Sequence, residues 1–120
     1  MNNVNLMYLC MRVHLIKKQT IQKYLVGHAS GKSSFGKWLT TIKYVEWQIP
    51  DDIKHTFGSA DLIGNGSDRV VFNIGGNNYR LICKYHFSTN QVHLFVCWIG
   101  THAEYDELCN NRKQFTVNAY

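Results

Sequence analysis

Acidic side chains are scarce in this 120-residue chain: Asp and Glu number 8 against 13 Lys and Arg, for a net charge of +5 and a pI near 9.1. That balance suits a nucleic acid or an acidic protein partner. Low-complexity tracts, repeats and long linkers are absent. With 45% hydrophobic residues the chain has enough apolar material for one core, so it reads as a single compact domain. Long apolar runs are missing too. The stretch 4–16 is broken by Asn5, Arg12 and His14, is too short and polar to span a bilayer, and has no small-residue cleavage site. The four cysteines, Cys10, Cys83, Cys97 and Cys109, form no C-x-x-C pair. They read as reduced thiols in a cytoplasmic protein. No Walker loop or dinucleotide fingerprint occurs, because Gly75-Gly76 sits in a hairpin and not ahead of a helix.

What is present is a small α+β pattern. Residues 1–10 read as an extension, and MRVHLIKK from Met11 as a first strand. Thr20 fits the N-cap of a short helix over 21–27, with Gly27 near its stop. Phe35, Trp38, Leu39, Ile42 and Val45 recur at helical spacing. The only proline, Pro50, fits the first turn of a helix over 50–57, where Asp51 and Asp52 complement the dipole. A Gly/Ser/Asn/Asp-rich loop follows over 59–68. Strands are expected over 69–74 and 78–87, around Gly75-Gly76-Asn77, and over 92–99. Thr101 and Glu104 form a T-x-x-E capping box for a last helix, and the residues from Asn111 onward read as a loosely held tail.

A two-residue Gly76-Asn77 turn pairs Asn73 with Arg80, Val71 with Ile82 and Arg69 with Lys84. Those six side chains then share one face, and Val70, Phe72, Ile74, Leu81 and Cys83 take the core side. Pairing Phe87 with Val92 sends Leu94, Val96 and Trp98 to the core. His86, His93, Phe95 and Thr101 join the other face. One sheet face is therefore expected to carry Arg69, Asn73, Arg80, Lys84, His86 and His93. Such a face holds a polyanion, and RNA suits it better than a small metabolite. His102 opens the last helix, beside free amides that bind phosphate, and Tyr105 lies one turn on. An imidazole and a phenol there are candidate acid–base groups. Cys83, His86, His93 and Cys97 have a zinc-like spacing, but strand alternation points Cys83 and His86 apart. Glu104, Asp106 and Glu107 are explained more simply by a cap and a solvated helix face than by a metal nuclease.

The segments RVVFNIGGNNYRLI (69–82) and GTHAEYD (100–106) together resemble the HigB family of bacterial toxins, within the RelE-like superfamily. The K-K-x-T helix start (17–20), the tryptophan-bearing second helix and the V-E-W segment (45–47) fit as well, so the resemblance covers residues 11–108, followed by a tail over 109–120. It implies N-terminal helices packed on one face of a small, curved, mostly antiparallel sheet, with a short C-terminal helix. It implies a cytoplasmic mRNA endoribonuclease that works on ribosomes and is neutralised by a HigA-like helix-turn-helix antitoxin. The family positions are Arg69, Asn73, Tyr79, Arg80, His102, Glu104, Tyr105 and Asp106. The expected chemistry needs no metal or cofactor. Arg80, with Arg69 or Lys84, offsets phosphate charge; His102 or Lys84 is the base; Tyr105 or His102 is the acid. RNA contacts fall to Arg69, Asn73, Arg80, Lys84 and His86. The alternatives are a non-catalytic RNA- or ribosome-binding module, and an inactive homologue that only docks its antitoxin.

Overall fold

A computed structural model describes residues 10–120, so the extension over 1–10 lies outside it apart from Cys10. The chain runs β1 (Met11–Ile16), α1 (Lys18–Gly27), a 3-10 turn (Ala29–Gly31), α2 (Lys32–Tyr44), β2 (Glu46–Trp47), α3 (Asp51–Thr56), β3 (Asp61–Leu62), β4 (Arg69–Ile74), β5 (Tyr79–Phe87), β6 (Val92–Thr101) and α4 (His102–Asn110). The sheet order is β2-β1-β6-β5-β4-β3. Every pairing is antiparallel except β1 with β6, which brings the first strand beside the last. The architecture is thus the expected α+β layer. No helix among the described residues is long and apolar enough to cross a membrane.

The three N-terminal helices cover one face of the sheet. Ile21, Phe35, Trp38, Ile42 and Ile53 pack onto Val70, Phe72, Leu81, Cys83, Leu94 and Val96. Phe72 sits at the centre, with Trp38 and Phe57 both 5.1 Å away edge-to-face, a geometry that favours the ring quadrupoles. Helix α1 starts earlier than Thr20 suggests. Lys17 takes a left-handed conformation (φ 69°) and turns the chain straight out of β1, with no side-chain cap. Tertiary placement of the strand end therefore overrides the local cap signal. Short strands also form at Glu46–Trp47 and inside the loop at Asp61–Leu62, where pairing with a neighbour outweighs turn-rich composition.

The first hairpin has the register read from its pattern: Arg69 opposite Lys84, Val71 opposite Ile82 and Asn73 opposite Arg80. Gly76 takes φ 65° at the first central turn position, where an L side chain would be strained. The second hairpin keeps Phe87 opposite Val92 but then slips. Cys83 faces Val96 while Ile82 faces Trp98, so Cys97 is an extra residue on β6. Bulges change which face the following residues address. Trp98, expected in the core, instead joins Val71, Ile82 and Cys97 on the opposite face, and Ile99 enters the core in its place.

The bulge explains Gly100. The Trp98 ring folds back over it, and a Cβ there would lie 2.3 Å from Cη2 of Trp98. Gly100→Ala should therefore destabilise the fold by about 1–3 kcal/mol, the usual range for overpacking. Urea denaturation would show it, and a double-mutant cycle with Trp98→Ala should recover most of the difference.

Candidate active site and nucleic-acid interface

The face of the sheet away from α1–α3 is not one basic surface. Val71, Ile82 and Cys97 form a second small core there, covered by Trp98, Tyr105 and Leu108 and by Val117 from the C-terminal segment. This apolar patch divides the expected basic face into two ends. The division follows from the bulge and from α4 packing on this side.

The first end surrounds the start of α4. Tyr79 pairs with Thr101 and Arg80 with Gly100, and the His102 amide donates to the Asn78 carbonyl at 3.2 Å. Arg80 and His102 therefore lie at the same end of the sheet. Arg80 is only 6% exposed. Its Nη1 donates to the carbonyls of Tyr79 (3.0 Å) and Gly76 (3.2 Å), and its Nη2 to Asn77 Oδ1 (3.3 Å). The capping box is formed as read: Glu104 N–H donates to Thr101 Oγ1, and Thr101 N–H to Glu104 Oε1 at 2.8 Å. His102 Nδ1 is shielded from solvent and makes no hydrogen bond among the described residues; the Asp106 carboxylate lies 3.5 Å from it. Tyr105 leans on Trp98, their ring centroids 6.2 Å apart. Burial raises the Tyr105 phenol well above its ordinary range, the Cys109 thiol adds to this, and the Arg80 charge opposes it only in part. The Tyr105 phenol is thus a weaker acid than an ordinary tyrosine.

The second end is a pocket of about 420 Å³ lined by Lys17, Arg69, Lys84, His86, Phe95 and Asn118. Lys84 and His86 are exposed. Four residues of β5 separate the Lys84 and Arg80 rungs, about 14 Å at a strand rise of about 3.4 Å per residue. Lys84 thus does not join His102 and Tyr105. Arg69 is 7% exposed, and both bonds that its Nη1 makes go to the C-terminal segment: Val117 O at 2.6 Å and Gln114 O at 3.3 Å. That segment, read from sequence as loose, is a strap. Beyond Arg69 its Ala119 amide bonds Cys97 O at 2.9 Å, and Lys17 Nζ donates to the Tyr120 main-chain oxygen. Tyr120 then lies beside Tyr24 of α1, whose phenol is raised to about 12 by burial, with Glu104, Tyr79 and Tyr120 adding to it. Asn73, opposite Arg80, is half-buried on the rung of the first end.

A family model described as the HigB toxin, the RelE-like toxic component of a toxin-antitoxin system, matches residues 31–108. The chain belongs to this family. It is 26% identical over 96 residues to the mRNA interferase HigB of Escherichia coli O6:H1 (strain CFT073), an alignment spanning 80% of this chain and 91% of that protein. It is also 26% identical over 94 residues to the mRNA interferase toxin HigB of Escherichia coli K12, spanning 78% of this chain and 88% of the relative. The family match of this HigB-family chain runs from the start of α2 into α4. It includes Arg80, His102 and Tyr105, while Lys17 and the strap fall outside it.

Arg69 ties the strap to β4, beside the Ala119–Cys97 hydrogen bond and the packing of Val117. Arg69→Met keeps an apolar stem but leaves the carbonyls of Gln114 and Val117 without their donor. The expected loss is about 3 kcal/mol, from bonds to a charged donor. Hydrogen exchange of the Ala119 amide should accelerate at least tenfold (an estimate on the same basis), while amides of β4 and β5 should change less.

Proposed function

We propose that this HigB-family toxin is an endoribonuclease that cuts mRNA and so blocks translation, with its chemistry at the His102 end of the sheet. The observation that carries this reading is that Arg80, His102 with Asp106, and Tyr105 gather at one end within the family-matched segment. The names of the relatives, mRNA interferases, support the same substrate.

In the proposed reaction His102 Nε2 takes the proton from a ribose 2′-OH, and Asp106 steadies the imidazolium that results. The 2′-oxygen bonds to the adjacent phosphorus as the bond to the 5′-oxygen breaks, leaving a 2′,3′-cyclic phosphate. Tyr105, which burial keeps protonated, supplies the proton to the departing 5′-oxygen. Arg80, fixed by the hairpin carbonyls, offsets charge on the phosphoryl oxygens through the N–H groups those carbonyls do not use. No step calls on a metal. Lys84, 14 Å or so along β5 by strand rise, contributes to holding RNA instead of to proton transfer. The proposal includes a cytoplasmic setting, action on translating ribosomes, and neutralisation by a helix-turn-helix antitoxin of the HigA type. An antitoxin partner follows from the family; its type does not.

Inducible expression with primer extension on cellular mRNA tests the reading. The wild type should arrest growth and create new 5′ ends, and His102→Ala should reduce both by a factor of about 10²–10⁴, the usual contribution of a general base. Purified protein at high concentration should cut ribosome-free RNA in excess EDTA. Tyr105→Phe should slow cutting, and the wild-type rate should show no decline from loss of this phenol's proton below about pH 10, the ordinary phenol value. Growth arrest without new 5′ ends would favour the non-catalytic binding module.

A further inference from the structure

We propose that the open face of β1, β6 and β5, at the end of the sheet away from His102, is a track for the single-stranded RNA that flanks the cleaved bond. This rests on the nuclease reading and adds a binding surface to it. The parallel pairing of β1 with β6 places three imidazoles on one rung across three strands: His14 opposite His93, and His93 opposite His86. Their ring centroids are 6.1 and 6.0 Å apart. The Gln91 amide, 2.7 Å from His93 Nε2, steadies the middle ring.

The neighbouring rung holds Phe95 between Ile16 and Lys84, and Phe95 lies 6.3 Å from the His93 ring. Lys17, at the end of β1, closes the pocket that Lys84 and Phe95 share. No carboxylate stands on these two rungs. Acidic residues flank these rungs: Glu46 pairs opposite Arg12 on one side, and Asp68, whose carbonyl accepts from the Tyr85 amide, precedes Arg69 on the other. Lys17 is tied to the Tyr120 oxygen, so the exposed Lys84 ammonium is the group left to meet a phosphate, and the planar rings beside it offer faces on which bases stack; single-stranded nucleic acids are bound by this combination. An acidic peptide would use the lysines but has no need of four adjacent ring faces, so RNA is the occupant the surface favours. The Arg80 rung lies about 14 Å along β5 by strand rise. The track therefore engages nucleotides beyond the one that is cut.

Binding can be read without cleavage, by fluorescence polarisation of a fully 2′-O-methylated 12-nucleotide strand. The exposed pair His14→Asn/Lys84→Gln, whose substitution leaves the core intact, should weaken binding about tenfold. It should also lower the salt slope of log K by about 0.7, one phosphate contact on a single strand. Phe95→Leu should weaken binding several-fold with the slope unchanged. Equal binding by the wild type and His14→Asn/Lys84→Gln would overturn the track while leaving the nuclease reading intact. If wild-type protein binds no strand at all, the track fails. If the same pair of substitutions abolishes binding of a glutamate-rich peptide and leaves RNA binding unmoved, the surface is a protein dock and the proposal is wrong. Loss of mRNA cleavage as the reading's own test, with oligonucleotide binding retained, would overturn the nuclease and keep the surface as an RNA-binding one.

Discussion

One extra residue in β6 decides what each face of the sheet can carry. Cys97 has no partner of its own opposite the Ile82–Cys83 step, and the strand beyond it is turned over. Without that slip Trp98 would compete with Phe72 and Trp38 for the main core, and the far face would have no apolar ground. With it, Val71, Ile82, Cys97 and Trp98 form a patch that α4 can bury through Tyr105 and Leu108. Seating α4 there fixes the direction of its N-terminus, and with it His102 beside the Asn78 turn. The position of the candidate chemistry is thus a packing consequence of the bulge. The same ring that fills the patch forbids a side chain at Gly100, so the glycine ahead of Thr101 and His102 has a steric reason rather than a chemical one.

The apolar patch also leaves the open face with two unlike ends. At one end Arg80 is held by carbonyls and Tyr105 by burial, with His102 beside Asp106 without a hydrogen bond between them. At the other end Lys84 and His86 are exposed and unconstrained by any ion pair among the described residues. Groups that act on a transition state gain from being fixed in advance. Groups that hold a flexible strand gain from freedom to follow it. A face of uniform, exposed charge would serve neither purpose as well.

Much of this was legible in the chain. The β4–β5 register followed from Gly75-Gly76-Asn77 and from strict alternation in RVVFNI and YRLIC, where any slip would drive Arg80 into Phe72. Helix α2 followed from Phe35, Trp38 and Ile42, and the start of α4 from Thr101 and Glu104. The bulge was not legible, because VCWI is apolar at every position and each register buries something. Nor was the β1–β6 pairing, since a contact across the length of the chain leaves no local pattern; His14 was overlooked as a neighbour of His93 for that reason. The strap was missed on different grounds. NNRKQFTVNAY is polar, and polar tails read as solvent-exposed. Its anchoring uses main-chain oxygens at Gln114, Val117 and Tyr120 and one amide at Ala119, groups that every residue has and no composition reveals.

The two buried arginines raise a last physical question: why carbonyls and not carboxylates satisfy them. Burying a guanidinium costs several kcal/mol unless its N–H groups find acceptors. An Asp or Glu would meet that need and cancel the charge, and the site would then present no field to a phosphate. Carbonyl oxygens meet the need with dipoles alone. Arg69 against the strap and Arg80 against the hairpin turn keep their full positive charge while losing little stability. Held in a poorly solvated setting, such a charge acts over longer distances than an exposed lysine screened by water and salt. A sheet carrying one fixed cation toward each end of its open face can thus draw a polyanion along its length, even though neither guanidinium has to leave its own partners to do so.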